Sequence, residues 1–525
     1  MPRSDSDVFP QDGSALRLVA WNVSSRYAAI LVDTALGLVM LPFNIAHLGQ
    51  SAYGLWLLSA SITTHFSILD LGYGGSLIKF IAQYRAQRSV QALNEITSTL
   101  FFVFALFGSL AYLGAAIAAF NLGWIFKLTP DQAETGKWVV LAVALPLALN
   151  FPFSVYGGIV GGFQRYHVNS VVAIGTSLAV AAVNVGVLLS GHGLVTMVFA
   201  TTVVRVASYF IYRLNAHRIF PALRIRLAYF QRARLRELTG FSVYSALIDW
   251  GNRLNYSLDQ MVIGAFMGPA AVAVWAVAER IISGTQLLTN QLNGVLFPVV
   301  VDSDALQQQD RLQRVLIEGT RFSLLMVLPI AATLLALGHN LVEAWVGRRS
   351  PALMGAVPVI QLLAFAVAVR VGNASGTIIL KGAGLHKMLA WTNILTGVVN
   401  VALSIALVRR FGLIGVAVGT LIPIAFASIV VLYPAACRRV GLPLMAAVRH
   451  AVIPPLWPAV VVGCMLALAR DLAAGTLVGV ALLAAAGGLI YLGLFFGIAI
   501  GRSDRVLYTT KALELLGRRT VPSLT

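Results

Sequence analysis

Residues 96–120 read ITSTLFFVFALFGSLAYLGAAIAAF, twenty-five positions without one charged side chain. A bilayer's hydrocarbon core is crossed by about 20 apolar residues in helical form. A barrel strand would instead alternate apolar and polar residues over about ten positions, and this run does not alternate. Thirteen similar runs flank it, at 24–46, 53–72, 138–160, 169–190, 194–213, 241–266, 271–297, 320–341, 354–379, 391–408, 412–433, 451–469 and 474–500. The reading is an all-α integral membrane protein of about 14 transmembrane helices. Composition agrees: of 525 residues, 58% are hydrophobic and 11% charged, against about 25% charged in soluble domains. Several of these runs contain or border proline (among them Pro42, Pro146, Pro152, Pro298, Pro329, Pro358 and Pro423). Helices that are buried or line a cavity tolerate them with a kink.

The net charge of +18 does not indicate nucleic acid, because the basic residues sit in short gaps between apolar runs rather than on one face of a soluble domain. Anionic membrane lipids are the partner this distribution predicts. Orientation follows from the same residues. With the N-terminus in the cytoplasm, the tails and the gaps after even-numbered helices hold 27 of the 38 Lys and Arg; the opposite gaps hold seven. A missed helix would invert every later loop, so the bias supports both the count and two cytoplasmic termini. Cys437 and Cys464 form no disulfide framework or metal set, and residues 1–23 lack a cleavable signal pattern.

The chain divides into a cytoplasmic tail (1–23), a six-helix bundle (24–213), a basic cytoplasmic linker (214–240), a second six-helix bundle (241–433), an extra transmembrane pair (451–500) and a second cytoplasmic tail (501–525). LGQSAYGLW (48–56) resembles MGPAAVAVW (267–275) at an offset of 219, and Gly193-Leu194 matches Gly412-Leu413 at the same spacing. GGFQRY (161–166) lies near GAGLHK (382–387) in this frame, and Val183-Asn184-Val185 near Val399-Asn400-Val401. Halves with an even number of crossings enter from the same side, giving two pseudo-symmetric bundles about an axis normal to the membrane, with a substrate path between them. The stretch 72–89 reads as a short interfacial helix, with Lys79, Arg85 and Arg88 beside Leu77, Ile78, Phe80 and Ile81.

Charged side chains at bilayer depth are costly and usually face an interior. Asp33 shares a stripe with Gly37, Asn44 and His47; Asp249 and Arg253 are four apart, extended by Tyr256 and Gln260; Asp70 and Asp259 stand apart. Glu279 leads Gln286, Asn290 and Asn293, so the adjacent Arg280 points toward another helix. Arg370 leads Asn373, Thr377 and Lys381, and Arg205 shares its side with Tyr209 and Tyr212. The plain alternative is that these are structural ion pairs and interhelix hydrogen bonds. Arg205, Arg253, Arg280 and Arg370 are the candidates for an anionic ligand, since a guanidinium offers phosphate a rigid fork of donors. Asp33, Asp249, Asp259 and Glu279 are the candidates for ion coupling or ion pairing. GGIVGG (157–162) suits close helix packing. No Walker motif, HExxH or histidine cluster occurs, so neither a metal nor another cofactor is expected and the energy must come from a gradient or a partner.

Four stretches carry a family resemblance: LPFNIAHLGQSAYGLW (41–56), ILDLGYGGSLIKFIAQY (68–84), YGGIVGGFQ (156–164) and LDQMVIGAFMGPAAVAVWAVAERI (258–281). Over roughly 20–500 the chain resembles the bacterial polysaccharide exporters, the O-antigen-type flippases of the multidrug/oligosaccharidyl-lipid/polysaccharide exporter superfamily. That resemblance implies two bundles around a cationic cavity opening alternately to either side (the MATE-like arrangement). The cargo it implies is an undecaprenyl-diphosphate-linked oligosaccharide, moved to the periplasmic leaflet of the bacterial inner membrane for O-antigen, lipopolysaccharide or exopolysaccharide synthesis. A polysaccharide polymerase or export machinery is the implied partner. The arginines named above come from depth, not from a transferred motif. A cation-coupled drug antiporter would favour acids over four arginines at depth. A lipid II flippase would carry a first-helix arginine arrangement that is missing. A polymerase or ligase would need a larger outward loop than 121–137 or 342–353.

Overall fold

The computed structural model describes residues 15–70, 73–236, 258–348, 350–473, 475–501 and 505; the side chains of 15–17, 19, 20, 68, 75, 286–295 and 298 fall outside that description. Every regular element among the described residues is a helix. Apart from shorter helical turns these are, in order, α1 (Ala15–Leu48), α2 (Gln50–His65), α3 (Tyr73–Ala86), α4 (Val90–Phe120), α5 (Pro130–Gly162), α6 (Tyr166–Leu189), α7 (Leu194–Ile219), α8 (Asp259–Met267), α9 (Pro269–Ala305), α10 (Gln309–Val342), α11 (Ala356–Gly372), α12 (Ala374–Gly382), α13 (His386–Phe426), α14 (Tyr433–Arg439), α15 (Ile453–Leu468) and α16 (Leu477–Leu494). Among the described residues, ten stretches are long and apolar enough to cross a membrane. One of them, His386–Arg439, holds two expected crossings, parted where Gly412 leaves helical geometry at φ 57. The second expected crossing is α2, which is shorter at 16 residues. The seventh lies largely outside the described residues, and α9 occupies the place of the eighth.

Contacts divide the chain into two units: Met1–Arg280 with Asn393–Val416, and Ile281–Thr392 with Ala417–Thr525. In the first unit the core is built on α4 and α5. Leu93, Ile96, Leu100 and Phe104 of α4 meet Val155, Ile159 and Val160 of α5. The short helix α3 is no span, as expected, but its apolar residues are not spent on lipid: Leu77, Phe80, Ile81 and Tyr84 are buried in this core. Leu77 and Ile81 seat on Gly158 and Gly162, where an added Cβ would meet them at 2.6 and 2.3 Å. The GGIVGG run is thus a packing notch, bringing two helices closer than side chains would permit.

Proline leaves a vacancy in helical hydrogen bonding, because it has no N–H for the carbonyl four residues earlier. Pro146 in α5 frees the carbonyl of Ala142, and the Thr202 hydroxyl of α7 donates to it at 3.0 Å. In the second unit Pro454 frees the carbonyl of His450 in the π-helical turn Val448–Val452. Arg321 of α10, buried, donates Nε and Nη2 to that oxygen at 3.1 and 2.8 Å. Tyr491 of α16 donates to the carbonyl of Pro455 at 3.1 Å. The C-terminal pair α15 and α16 is therefore pinned to the second unit by polar contacts as well as by packing.

The internal repeat has a backbone counterpart. Gly49 and Gly268 precede α2 and α9 with φ 80 and 86; Arg88 and Gln307 both have φ 53; Gln164 and Gly384 have φ 62 and 77. These pairs lie 219, 219 and 220 residues apart. Left-handed backbone is uncommon outside glycine, so three recurrences in one frame mark the same turns built twice.

Candidate functional site: a guanidinium seated on α1

Arg280 lies 11 residues along α9, about 17 Å from its start. Its Nη2 donates to the main-chain carbonyls of Asp33 and Thr34 in the middle of α1, at 2.7 and 3.1 Å. The guanidinium reaches them because residue 37 is glycine: an added Cβ there would lie 1.6 Å from Nη2 and 1.9 Å from Cζ. The seat thus includes an absent side chain and two carbonyl oxygens. Beside it, Glu279 accepts a hydrogen bond from Gln260 of α8 at 2.6 Å. The buried Tyr53 lies close enough to feel both Arg280 and Glu279. The two repeat motifs themselves touch here: Gln50 Nε2 donates to the Ala270 carbonyl at 2.9 Å, and a Cβ on Gly54 would lie 1.8 Å from the Pro269 oxygen.

The remaining candidates fall as follows. The Asp33 side chain is exposed on α1, so at this residue the backbone, not the carboxylate, holds Arg280. Arg205 is exposed although Thr201 and Ser208, its neighbours on the same stripe of α7, are buried; Tyr209 on that stripe donates to the Pro146 carbonyl at 2.7 Å. Asp259 opens α8 and is buried. Arg370 is partly buried in the last turn of α11. The stripe it was expected to lead along one helix is broken at Asn373, where the backbone turns to φ −92, ψ 2 before α12. Asn373, Ser375, Thr320 and Tyr433 are buried beside this break, and the side-chain oxygens of Asn373 and Ser375 find no hydrogen-bond partner among the described residues. Asp249 and Arg253 lie outside the described residues, as do the side chains of Gln286, Asn290 and Asn293.

Two polar arrangements escaped the sequence reading. Gly37 carries no chemical signal of its own, and its role appears only when Arg280 is placed above it. The other is a clasp at the start of α4. Its buried residues Asn94, Glu95, Ser98 and Thr99 hold the chain that follows α7. Asn94 accepts from the Arg224 N–H at 2.8 Å and donates to the Ala222 carbonyl at 3.1 Å. Ser98 accepts from the Arg226 N–H at 3.2 Å, and Thr99 from the Gln231 N–H at 3.0 Å. Glu95 takes Arg234 through Nε and Nη2 at 3.2 and 3.0 Å, and Arg234 Nη1 reaches the Tyr84 hydroxyl at 2.8 Å. The signal was present as NEITST (94–99), a polar turn immediately before an apolar run.

A chain of long apolar helices with a guanidinium bound inside the helix pack is an all-α, multi-pass membrane protein of transporter architecture. Residues 19–303 match the family model described as polysaccharide biosynthesis protein, and the chain belongs to that family. Among curated relatives it is 20% identical to the probable flippase AglR of Haloferax volcanii, over 77% of this chain and 80% of that one. It is 22% identical to the probable low-salt glycan biosynthesis flippase Agl15 of the same organism, over 36% and 40%. Two solved structures share the fold. The lipid II flippase MurJ in an inward closed conformation has TM-score 0.68 and 13% identity, over 90% of this chain and 98% of that one. An inward-facing MATE-family multidrug transporter of the MOP superfamily has TM-score 0.62 and 16% identity, over 83% and 97%.

Proposed function

We propose that this protein is a flippase that moves a polyprenyl-diphosphate-linked oligosaccharide between membrane leaflets for surface-glycan assembly, by alternating access. One relative named as a probable flippase and another named as a probable low-salt glycan biosynthesis flippase support the cargo class. One observation on this chain carries the reading further: Arg280 holds its guanidinium against the backbone of α1 within the helix pack. A guanidinium offers phosphate oxygens a planar fork of donors, so Arg280 is the proposed contact for the diphosphate. Arg205, Arg253 and Arg370 are proposed to complete the cationic path. Undecaprenyl diphosphate as the carrier, O-antigen, lipopolysaccharide or exopolysaccharide as the product, a bacterial inner-membrane location, cytoplasmic termini and a polymerase or export partner belong to the same proposal. Two bundles, 24–213 and 241–433, joined by a basic linker, are its proposed working halves.

The test is a leaflet-specific assay in proteoliposomes, offering a fluorescent polyprenyl-diphosphate oligosaccharide or a cationic drug. Flipping of the glycan lipid, lost by ten-fold or more in Arg280→Ala, is the expected result. Drug movement without glycan flipping would replace this reading with an antiporter.

A second assignment concerns energy. Glu279 is a carboxyl at bilayer depth, hydrogen-bonded to Gln260, and it is the proposed proton-carrying group, with Asp33, Asp249 and Asp259 as the further acids.

A further inference from the structure

We propose a specific anionic-phospholipid site at the end of the second unit where α13 begins and α14 finishes. The two ends line one pocket of about 520 Å³, within the 300–1,000 Å³ of small-ligand sites. Its walls are apolar: Leu385 and Met388 on one side, Val430, Val431 and Ala435 on the other. Its rim is cationic, with Arg438 and Arg439; Lys387 is the sequence neighbour of the lining residue Met388 and lies outside the lining itself. Arg439 is tied to Asp304 by an ion pair, which fixes its guanidinium and offsets its charge. Arg438 and Lys387 are exposed, and neither makes a hydrogen bond or ion pair through its side chain among the described residues.

The wall has a local cause. Ala427–Leu432 is a π-helical turn, a feature that in helices often accompanies function. It sends Ser428 and Ile429 toward one groove of the unit and Val430 and Val431 into this pocket. Val430 is 55% exposed. An apolar slot with the free Arg438 guanidinium on its rim, and the exposed Lys387 one residue along the chain from its wall, matches one ligand chemistry: an acyl chain in the slot and a phosphate on the rim. A free phosphate would leave the slot empty, and a neutral lipid would leave the cations unmatched. The inference stands whether or not the transport reading does.

Native mass spectrometry of the full-length protein, released from nanodiscs containing equal phosphatidylglycerol and phosphatidylcholine of matched chains, tests it. Phosphatidylglycerol is expected to be retained in preference. Arg438→Gln and Lys387→Gln should each lower that retention about five-fold, the contribution of one cation at an anionic surface. Val431→Trp should lower it by filling the slot, and the exposed substitutions keep the test open if that variant fails to fold. Arg449→Gln, outside the pocket, should change little. Equal retention of both lipids would overturn the site. So would an Arg449→Gln loss as large as that of Arg438→Gln, or displacement of the lipid by excess inorganic phosphate.

Discussion

At the scale of single residues, two glycines show what a missing side chain does. A Cβ at position 37 collides with the flexible end of Arg280, whereas a Cβ at position 54 collides with the backbone carbonyl of Pro269. The first neighbour can swing away; the second is fixed at the start of a helix. Gly54→Ala is therefore expected to destabilise the protein by about 2–3 kcal/mol, and Gly37→Ala by about 1 kcal/mol or less. Thermal unfolding in detergent compares them, and equal shifts would refute the distinction. Gly37→Ala should still impair flipping, because it evicts the guanidinium. Reading the sequence reached Arg280 through the cost of a charge at depth, and it inferred from the adjacent Glu279 that the guanidinium points at another helix. It did not reach the seat, because backbone carbonyls and an absent Cβ leave no mark in a list of side chains.

At the scale of elements, the apolar runs were legible because each crossing must be continuous, while the breaks within them were not. Asn373 parts α11 from α12; Gly372 precedes it, but as one of 47 glycines it did not single out the site. Residues 94–99 looked like a span boundary but lie inside α4, where they bind the segment after α7. That clasp fastens the first part of the basic linker to the first unit. Glu95→Ala would leave Arg234 without its carboxylate and is expected to cost about 2–3 kcal/mol. The accompanying rise in amide exchange should be confined to 222–236; a uniform rise would refute the clasp.

Proline repair gives a sharper test at this scale. Thr202→Val orphans the Ala142 carbonyl, at about 1–3 kcal/mol. Pro146→Ala supplies an N–H for the same oxygen, so Thr202→Val should cost far less in that background. Additive effects in the double-mutant cycle would mean that the hydroxyl does not serve the proline's vacancy.

For the whole molecule the question is how charge movement couples to transport. Glu279→Gln keeps an oxygen to accept from Gln260, so the local contact survives while titration is lost. If Glu279 carries the proton, vesicles of this variant should flip glycan lipid at a rate independent of an imposed pH gradient, whereas the unaltered protein responds to it. Sensitivity to membrane potential, worth about 2.3 kcal/mol per charge per 100 mV, should persist in the variant to the extent that the diphosphate itself moves charge. The two gradients separate the two charges. An unchanged pH response would remove Glu279 from coupling and leave Asp33, Asp249 and Asp259 to be tried. Loss of all flipping in Glu279→Gln, with folding intact, would instead place the carboxylate in holding Arg280's surroundings together, because the amide preserves the hydrogen bond but not the charge.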